Sequence, residues 1–79
     1  MYETYRSTTL LDNGFLTVQS SSVAAYVKWV NLRHVSSAIQ YKSSNEVGRL
    51  SLNLDNGDIV HIEEELSLID NVIDAWSKL

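Results

Sequence analysis

The sequence contains no cysteine, and this absence excludes two classes of small protein. Without thiols there is no disulfide framework, on which small secreted domains usually depend, and no thiolate metal site. Residues 1–6 also lack the basic segment followed by an apolar segment that marks a secretion signal. We therefore expect a protein of the reducing cytoplasm.

Long apolar runs and catalytic glycine motifs are absent as well. No stretch approaches the roughly 20 apolar residues that cross a bilayer, so no membrane partner is expected. Only three glycines occur, and the sequence has neither a Gly-x-Ser-x-Gly elbow nor a Gly-rich phosphate loop. A single domain of 79 residues, spanning 1–79, has little room for a pocket that buries a substrate. The sequence thus predicts a protein that is not an enzyme and uses no cofactor.

Acidic charge is concentrated toward the C-terminal end. Residues 1–54 contain five basic and three acidic side chains, whereas residues 55–79 contain seven acidic side chains and one basic. The net charge of the chain is −4. Such a field repels nucleic acid and membranes and attracts a basic partner, although it also serves simply to keep a small domain soluble.

The most informative pattern is the tetrapeptide Leu-Asp-Asn-Gly, which occurs at 11–14 and again at 54–57. Each copy lies between segments rich in Leu, Val, Ile, Phe and Thr. Asn tolerates positive φ and Gly adopts it freely, as a tight reversal between two strands requires. Each copy therefore predicts the turn of a β-hairpin.

The distribution of apolar residues decides the loop length of the second hairpin. A two-residue loop would divide them between both faces of the hairpin. A three-residue loop, 55–57, with Gly57 left-handed at a bulge, gathers five of them on one face. The five are Leu50, Leu52, Leu54, Val60 and Ile62. This register also places Arg49 across from Glu63, in a cross-strand pair worth about 0.2–1 kcal/mol.

The same loop in the first hairpin predicts strands at about 4–11 and 15–20. It pairs Leu10 with Leu16 and Thr8 with Val18.

The segment 23–31 is ambiguous, because its alanines allow a helix capped by Ser22 whereas its aromatic and β-branched residues favour a strand. We prefer the strand. A short turn at 32–34 then leads to another strand at 35–42.

A helix is predicted at the C-terminus. Ser67 followed by Asp70 resembles a capping box, and four apolar residues follow at helical spacing. They are Ile69, Val72, Ile73 and Trp76. The expected fold is therefore α+β: an antiparallel β-sheet of about five to six short strands, including two hairpins, with one C-terminal α-helix packed on a face. Trp76 is expected to anchor the core rather than a partner.

The alternating residues His61, Glu63 and Glu65 would place an imidazole and two carboxylates on one side of a strand. No second histidine is positioned to complete a metal site, since His34 lies in a different turn. We therefore expect no metal and interpret these side chains as an exposed polar face. The consecutive run 63–65 alternates between faces, which argues against a catalytic carboxylate pair.

These observations favour a binding module or inhibitor that occupies a basic surface on a larger protein. In size, acidity and β-rich character ending in a helix, the chain resembles the small anti-CRISPR and other anti-defence proteins encoded by phages and mobile elements. The resemblance is one of overall character. In this hypothesis the C-terminal carboxylates bind Lys and Arg side chains that normally hold nucleic-acid phosphates. The candidate residues are Asp55, Asp58, Glu63, Glu64, Glu65, Asp70 and Asp74.

Two alternatives stay open at the level of sequence. Aromatic and basic side chains are interleaved on what are expected to be two central strands, which is typical of a sheet surface that binds single-stranded nucleic acid. These residues are Tyr26, Lys28, Arg33, Tyr41 and Lys42. The low number of cations makes nucleic acid an unlikely partner. The other alternative is a homodimer that covers an edge strand or an apolar face of the sheet.

Overall fold

The computed structural model describes residues 4–20 and 26–79. Within these ranges the chain forms six β-strands, a 3-10 helix and an α-helix. The elements are β1 (Thr4–Leu10), β2 (Phe15–Ser20), β3 (Val27–Asn31), the 3-10 helix (Leu32–His34), β4 (Val35–Lys42), β5 (Val47–Leu54), β6 (Ile59–Glu65) and α1 (Leu66–Ser77). The predicted turn at 32–34 and strand at 35–42 are confirmed. The strand predicted for 23–31 is confirmed from Val27 onward, and its first residues lie outside the described ranges.

The six strands form one mixed sheet in the order β3-β2-β1-β6-β5-β4. Four of the five neighbouring pairs are antiparallel, but β1 and β6 are parallel. The prediction of a purely antiparallel sheet is therefore wrong. Among the described residues, the parallel pairing joins Thr4 to His61 and Tyr5 to Ile62. We call this pairing the seam, because it joins two antiparallel three-stranded units, β1–β3 and β4–β6.

The sheet is curled, because its two edge strands are consecutive in the chain. β3 and β4 lie at opposite edges, and five strand spacings of about 4.8 Å would hold the edges of a flat sheet about 24 Å apart. The four Cα–Cα steps from Asn31 to Val35 reach about 15 Å at most. The expectation that these were central strands is wrong, because each of them pairs on one side alone within the described residues.

Both Leu-Asp-Asn-Gly turns pack against the 3-10 helix. Leu32 N donates a hydrogen bond to the Gly14 carbonyl at 3.0 Å, and Asp55 N donates to the His34 carbonyl at 2.8 Å. Gly14 and Gly57 have φ values of 85° and 93°, so both turns have the predicted left-handed glycine. The repeated tetrapeptide thus holds the connection between the two units at two points.

The predicted register of the second hairpin is confirmed. Leu50 pairs with Ile62, Leu52 pairs with Val60, and Arg49 faces Glu63. The paired apolar residues are buried, and they face the helix. The period-2 pattern was sufficient to fix this register, because a shift of one residue would have divided the apolar residues between the two faces of the hairpin.

The first hairpin departs from its predicted register. Leu10 pairs with Leu16 as expected, but the pairing shifts by one residue between Arg6 and Thr9. The predicted pair of Thr8 with Val18 is therefore replaced by a β-bulge.

The bulge is tied to β6 by a carboxylate. Ser7 adopts a φ of 52°, which is unusual for a residue with a Cβ. Thr8 N donates a hydrogen bond to Glu64 Oε2 at 2.6 Å. The bulge thus directs a backbone N–H away from the β1–β2 pairing and toward the neighbouring strand, where a charged acceptor compensates the local strain.

The core lies between the inner face of the sheet and α1. Ile69 and Val72 of α1 are buried there, with Ile73 and Trp76 packed at its margin. The Trp76 indole donates from Nε1 to the Val35 carbonyl at 3.2 Å, in agreement with an anchoring role. Among the described residues, no helix is long and apolar enough to span a membrane.

The predicted capping box at Ser67 is wrong. The helix begins at Leu66 with Glu65 as N-cap, and no side chain makes a cap hydrogen bond. Instead, Leu66 N donates to the carbonyl of Glu46, in the β4–β5 loop, at 2.8 Å. This tertiary bond satisfies one of the first backbone donors of the helix, which have no partner within the helix, so the helix starts directly after β6.

Candidate interaction surface

The candidate site is the side of β4, β5 and β6 that faces away from α1, which we call the outer face. Paired strand residues alternate between the two sides of a sheet. Because Leu50, Leu52 and Val60 point toward α1, the odd-numbered residues of β5 and β6 point outward, as do those of β4 from Ser37 onward, after a shift in the β4–β5 register. The outer face comprises Ser37, Ile39 and Tyr41 of β4, Val47, Arg49, Ser51 and Asn53 of β5, and Ile59, His61, Glu63 and Glu65 of β6.

Four large apolar side chains on the outer face are accessible to solvent. The exposed fractions are 47% for Ile39, 53% for Tyr41, 36% for Val47 and 47% for Ile59. Polar side chains lie between these apolar ones: Ser51, for example, lies directly across from Ile39 in the β4–β5 ladder. The predicted register of the second hairpin identifies which side chains of β5 and β6 point outward. It does not show that β4 adds Ile39 and Tyr41 to the same face, because that depends on the pairing of β4 with β5.

A row of ion pairs crosses the outer face. Glu63 accepts from Arg6 Nη2 at 2.9 Å and from Arg49 Nε at 3.4 Å. The predicted Arg49–Glu63 contact is confirmed as the longer of the two. Sequence reasoning missed Arg6, because its proximity to β6 depends on the parallel seam and no local pattern encodes that pairing.

Beside this row lies a shallow depression of about 430 Å³. Its lining consists of polar side chains from β1, β4, β5, β6 and the β4–β5 loop. They are Thr4, Tyr41, Ser43, Arg49, Ser51 and His61. Ser51 Oγ and His61 Nδ1 are 2.9 Å apart and share a hydrogen bond. None of these lining residues is acidic.

The seven predicted partner-binding acids do not form a single surface. Asp55 and Asp58 lie in the β5–β6 turn, and Glu63 and Glu65 belong to the outer face. Glu64 points to the helix side, as the alternation of the strand requires. The remaining two, Asp70 and Asp74, lie on α1.

Several of these carboxylates already form hydrogen bonds or ion pairs with other residues of the chain. Glu64 holds the bulge through Thr8, and Glu63 holds the two arginines. Asp55 Oδ2 lies 2.9 Å from His34 Nδ1 in an exposed pair beside the 3-10 helix. These contacts give the three residues structural roles that compete with binding a partner.

The two acidic residues of α1 make weaker contacts within the molecule. Asp70 accepts from Gln40 Nε2 at 3.3 Å. Asp74 pairs with Lys78 at 2.8 Å, and its hydrogen bond and negative charge raise the pKa of the Lys78 ammonium group. Both groups of this pair are well exposed, so the contact has little structural weight.

The five residues of the nucleic-acid alternative are not brought together. Tyr26 and Lys28 belong to the β3 edge. There the hydroxyl groups of Tyr5 and Tyr26 share a hydrogen bond, and the Lys28 ammonium group lies over the Tyr5 ring. Tyr41 and Lys42 belong to the opposite edge and point to opposite sides of it. Arg33 is in the 3-10 helix and donates to the Asn13 carbonyl, so the set forms no continuous stacking surface.

Compared with known proteins, the chain matches no family model, no curated protein and no solved structure. Function is therefore inferred from the surfaces described above.

Proposed function

We propose that the protein is a small, non-enzymatic protein-binding module that docks through its outer face on a larger protein with a basic surface. The observation that carries the proposal is the exposure of Ile39, Tyr41, Val47 and Ile59 on the side of the sheet that α1 leaves uncovered. Exposed large apolar side chains gathered on one face are typical of interaction sites.

The composition of the outer face suits a protein interface. Tyr and Arg are enriched at the centres of interfaces, and here Tyr41 lies directly across from Arg49. Complete burial of a large aliphatic side chain is worth about 1.5–3 kcal/mol, so Ile39 and Ile59 supply a useful part of the binding free energy.

Charge supports a basic partner. Glu65 lies across from Val47 at one end of the outer face, and Asp58 directly precedes Ile59 at the other. Acidic groups thus flank the apolar side chains, and the net charge of −4 steers a basic protein toward them.

The partner class follows from the same chemistry. A basic protein surface that binds nucleic acid presents Lys and Arg side chains, and exposed carboxylates compete with phosphates for these side chains. In this proposal the chain inhibits such a protein by covering that surface. Asp58 and Glu65 make the direct contacts, whereas Asp70 and Asp74 on α1 contribute to the long-range field.

The test compares three double variants of matched design. The partner is first captured with the unmodified chain from the cells that encode it, and each purified variant is then titrated against that partner. Ile39→Thr with Ile59→Thr removes apolar area while keeping β-branched residues, and Asp58→Asn with Glu65→Gln removes the two charges that flank the apolar side chains of the outer face. Asp70→Asn with Asp74→Asn removes the same charge from α1.

We expect the apolar variant to bind at least about tenfold more weakly, because interface energy is concentrated in a few large side chains. The Asp58 and Glu65 variant should bind more weakly and lose part of its salt dependence, while the α1 variant stays within about twofold of the unmodified chain. Equal losses in the two charge variants would refute docking through the outer face. Self-association of the pure chain that the Ile39 and Ile59 substitutions abolish would instead assign this face to a homodimer.

A further inference from the structure

We propose that the depression on the outer face is a binding site for a small oxyanion, a carboxylate or a phosphate group, held by Arg49, Tyr41 and Ser43. The inference goes beyond docking on a protein, because it assigns a ligand chemistry to one cavity and needs no protein partner to be tested.

Positive charge is in local surplus beside the depression. Two arginines, Arg6 and Arg49, flank the single carboxylate of Glu63, so this row of three residues has a net charge of +1. Arg6 makes the shorter contact at 2.9 Å, whereas Arg49 reaches the carboxylate through Nε alone at 3.4 Å. At that length the Arg49 bond is weak. The surplus charge therefore lies on Arg49, at the margin of the depression.

Several hydrogen-bond donors of the depression are available to a ligand. Within the described residues, the Nη1 and Nη2 groups of Arg49 have no hydrogen-bond partner. The hydroxyl groups of Tyr41 and Ser43 likewise have none within those ranges. A guanidinium group with two terminal nitrogens available binds carboxylate or phosphate oxygens in a bidentate manner, and hydroxyl donors complete the coordination of the anion.

The backbone holds these donors in place. Tyr41 and Arg49 are direct partners in the β4–β5 ladder, which sets their Cβ atoms about 4.5–5.5 Å apart. Ser43 follows β4, and its backbone N–H donates to the Val47 carbonyl at 3.0 Å. The loop is further closed by Ser44 Oγ, which accepts from the Val47 N–H at 3.1 Å.

The lining of the depression favours an anion. None of the lining residues that the structure describes is acidic, and Ser51 and His61 are polar groups among them. Its volume of about 430 Å³ accommodates an oxyanion together with the organic group that bears it. Sites for small molecules have volumes of this order.

The experiment is a titration of the isotope-labelled full chain, followed by amide and Arg Nε–H resonances at constant ionic strength. One arm adds inorganic phosphate and a second arm adds acetate, so the two oxyanion sources are distinguished. Arg49→Gln and Tyr41→Phe remove proposed donors. Lys42→Gln is the matched control, because it removes one positive charge from the same strand on the opposite side of the sheet.

We expect saturable shifts at Tyr41, Ser43 and Arg49 in at least one arm. Binding should weaken at least tenfold in Arg49→Gln and severalfold in Tyr41→Phe, and stay within twofold in Lys42→Gln. Glu63→Gln should tighten binding severalfold, because it removes the carboxylate that competes with the ligand for Arg49.

Linear, non-saturating shifts in both arms would overturn the proposal, as would equal weakening in Arg49→Gln and Lys42→Gln. The amide spectrum of each variant shows directly whether it is folded, and the tightening in Glu63→Gln is a gain that misfolding does not produce. A negative result leaves docking of a protein intact, since docking is carried by exposed apolar area and is tested on Ile39 and Ile59.

Discussion

At position 57 the chain needs a positive φ, and space is not the constraint. Gly57 has a φ of 93°, and a Cβ added there would meet no atom within 4 Å. Gly57→Val should therefore lower the free energy of unfolding by about 1–3 kcal/mol through backbone strain alone. Urea denaturation measures the change.

Asparagine provides the control at this position. Because Asn adopts the left-handed region more readily than a β-branched residue, Gly57→Asn should destabilise the protein less than Gly57→Val. Equal stability of the valine variant and the unmodified chain would contradict this description of the turn.

Among the elements, α1 is the one that closes the core, and Trp76 ties its last turn to the start of β4. Trp76→Phe keeps an aromatic ring but removes the hydrogen bond to the Val35 carbonyl. Loss of that bond should lower the free energy of unfolding by about 0.5–1.5 kcal/mol, with a further loss from the smaller ring. Urea denaturation of the two proteins tests this, and an unchanged midpoint would show that α1 does not depend on the contact.

Elements whose patterns are local could be predicted from the sequence. The glycine turns and the register of the second hairpin follow from residues a few positions apart, and both are confirmed. The start of α1 was misplaced because the Glu46 carbonyl, from a distant loop, satisfies Leu66 N. The bulge at Ser7 was missed for a similar reason, since its acceptor is on β6.

The candidate site was only partly accessible from the sequence. The register placed Arg49, Ile59 and Glu63 together on one side of the second hairpin, and the structure agrees. Arg6 joins them through the seam, which pairs residues far apart in the chain and leaves no periodic signal. The acidic segment was expected to act as one surface, but the alternation within β6 and the position of α1 divide it between two sides of the sheet.

On the scale of the whole molecule, the seam joins the two three-stranded units into one sheet. In the part of the chain that the structure describes, two backbone residue pairs join β1 to β6, and the side chains of Glu63 and Glu64 add contacts between these strands. Glu64→Ala would leave the Thr8 N–H without its charged acceptor, so we expect a loss of about 1–3 kcal/mol in the free energy of unfolding.

The adjacent Glu65 provides a matched control for that experiment. It has the same side chain and charge, but it is exposed and makes no cap hydrogen bond to α1. Glu65→Ala should change the free energy of unfolding by less than about 0.5 kcal/mol. Similar losses in the two variants, measured by urea denaturation, would show that the carboxylate of Glu64 has no special role in joining the two units.

The three consecutive glutamates of β6 perform three different tasks. Glu63 points outward to the arginines, Glu64 points inward to the bulge, and Glu65 is the N-cap residue of α1. Because strand residues alternate between sides, insertion or deletion of one residue before this run would exchange the outward and inward positions. The number of residues between the β5–β6 turn and this run therefore determines which glutamate contacts the arginines and which contacts the bulge, even though the three side chains are identical.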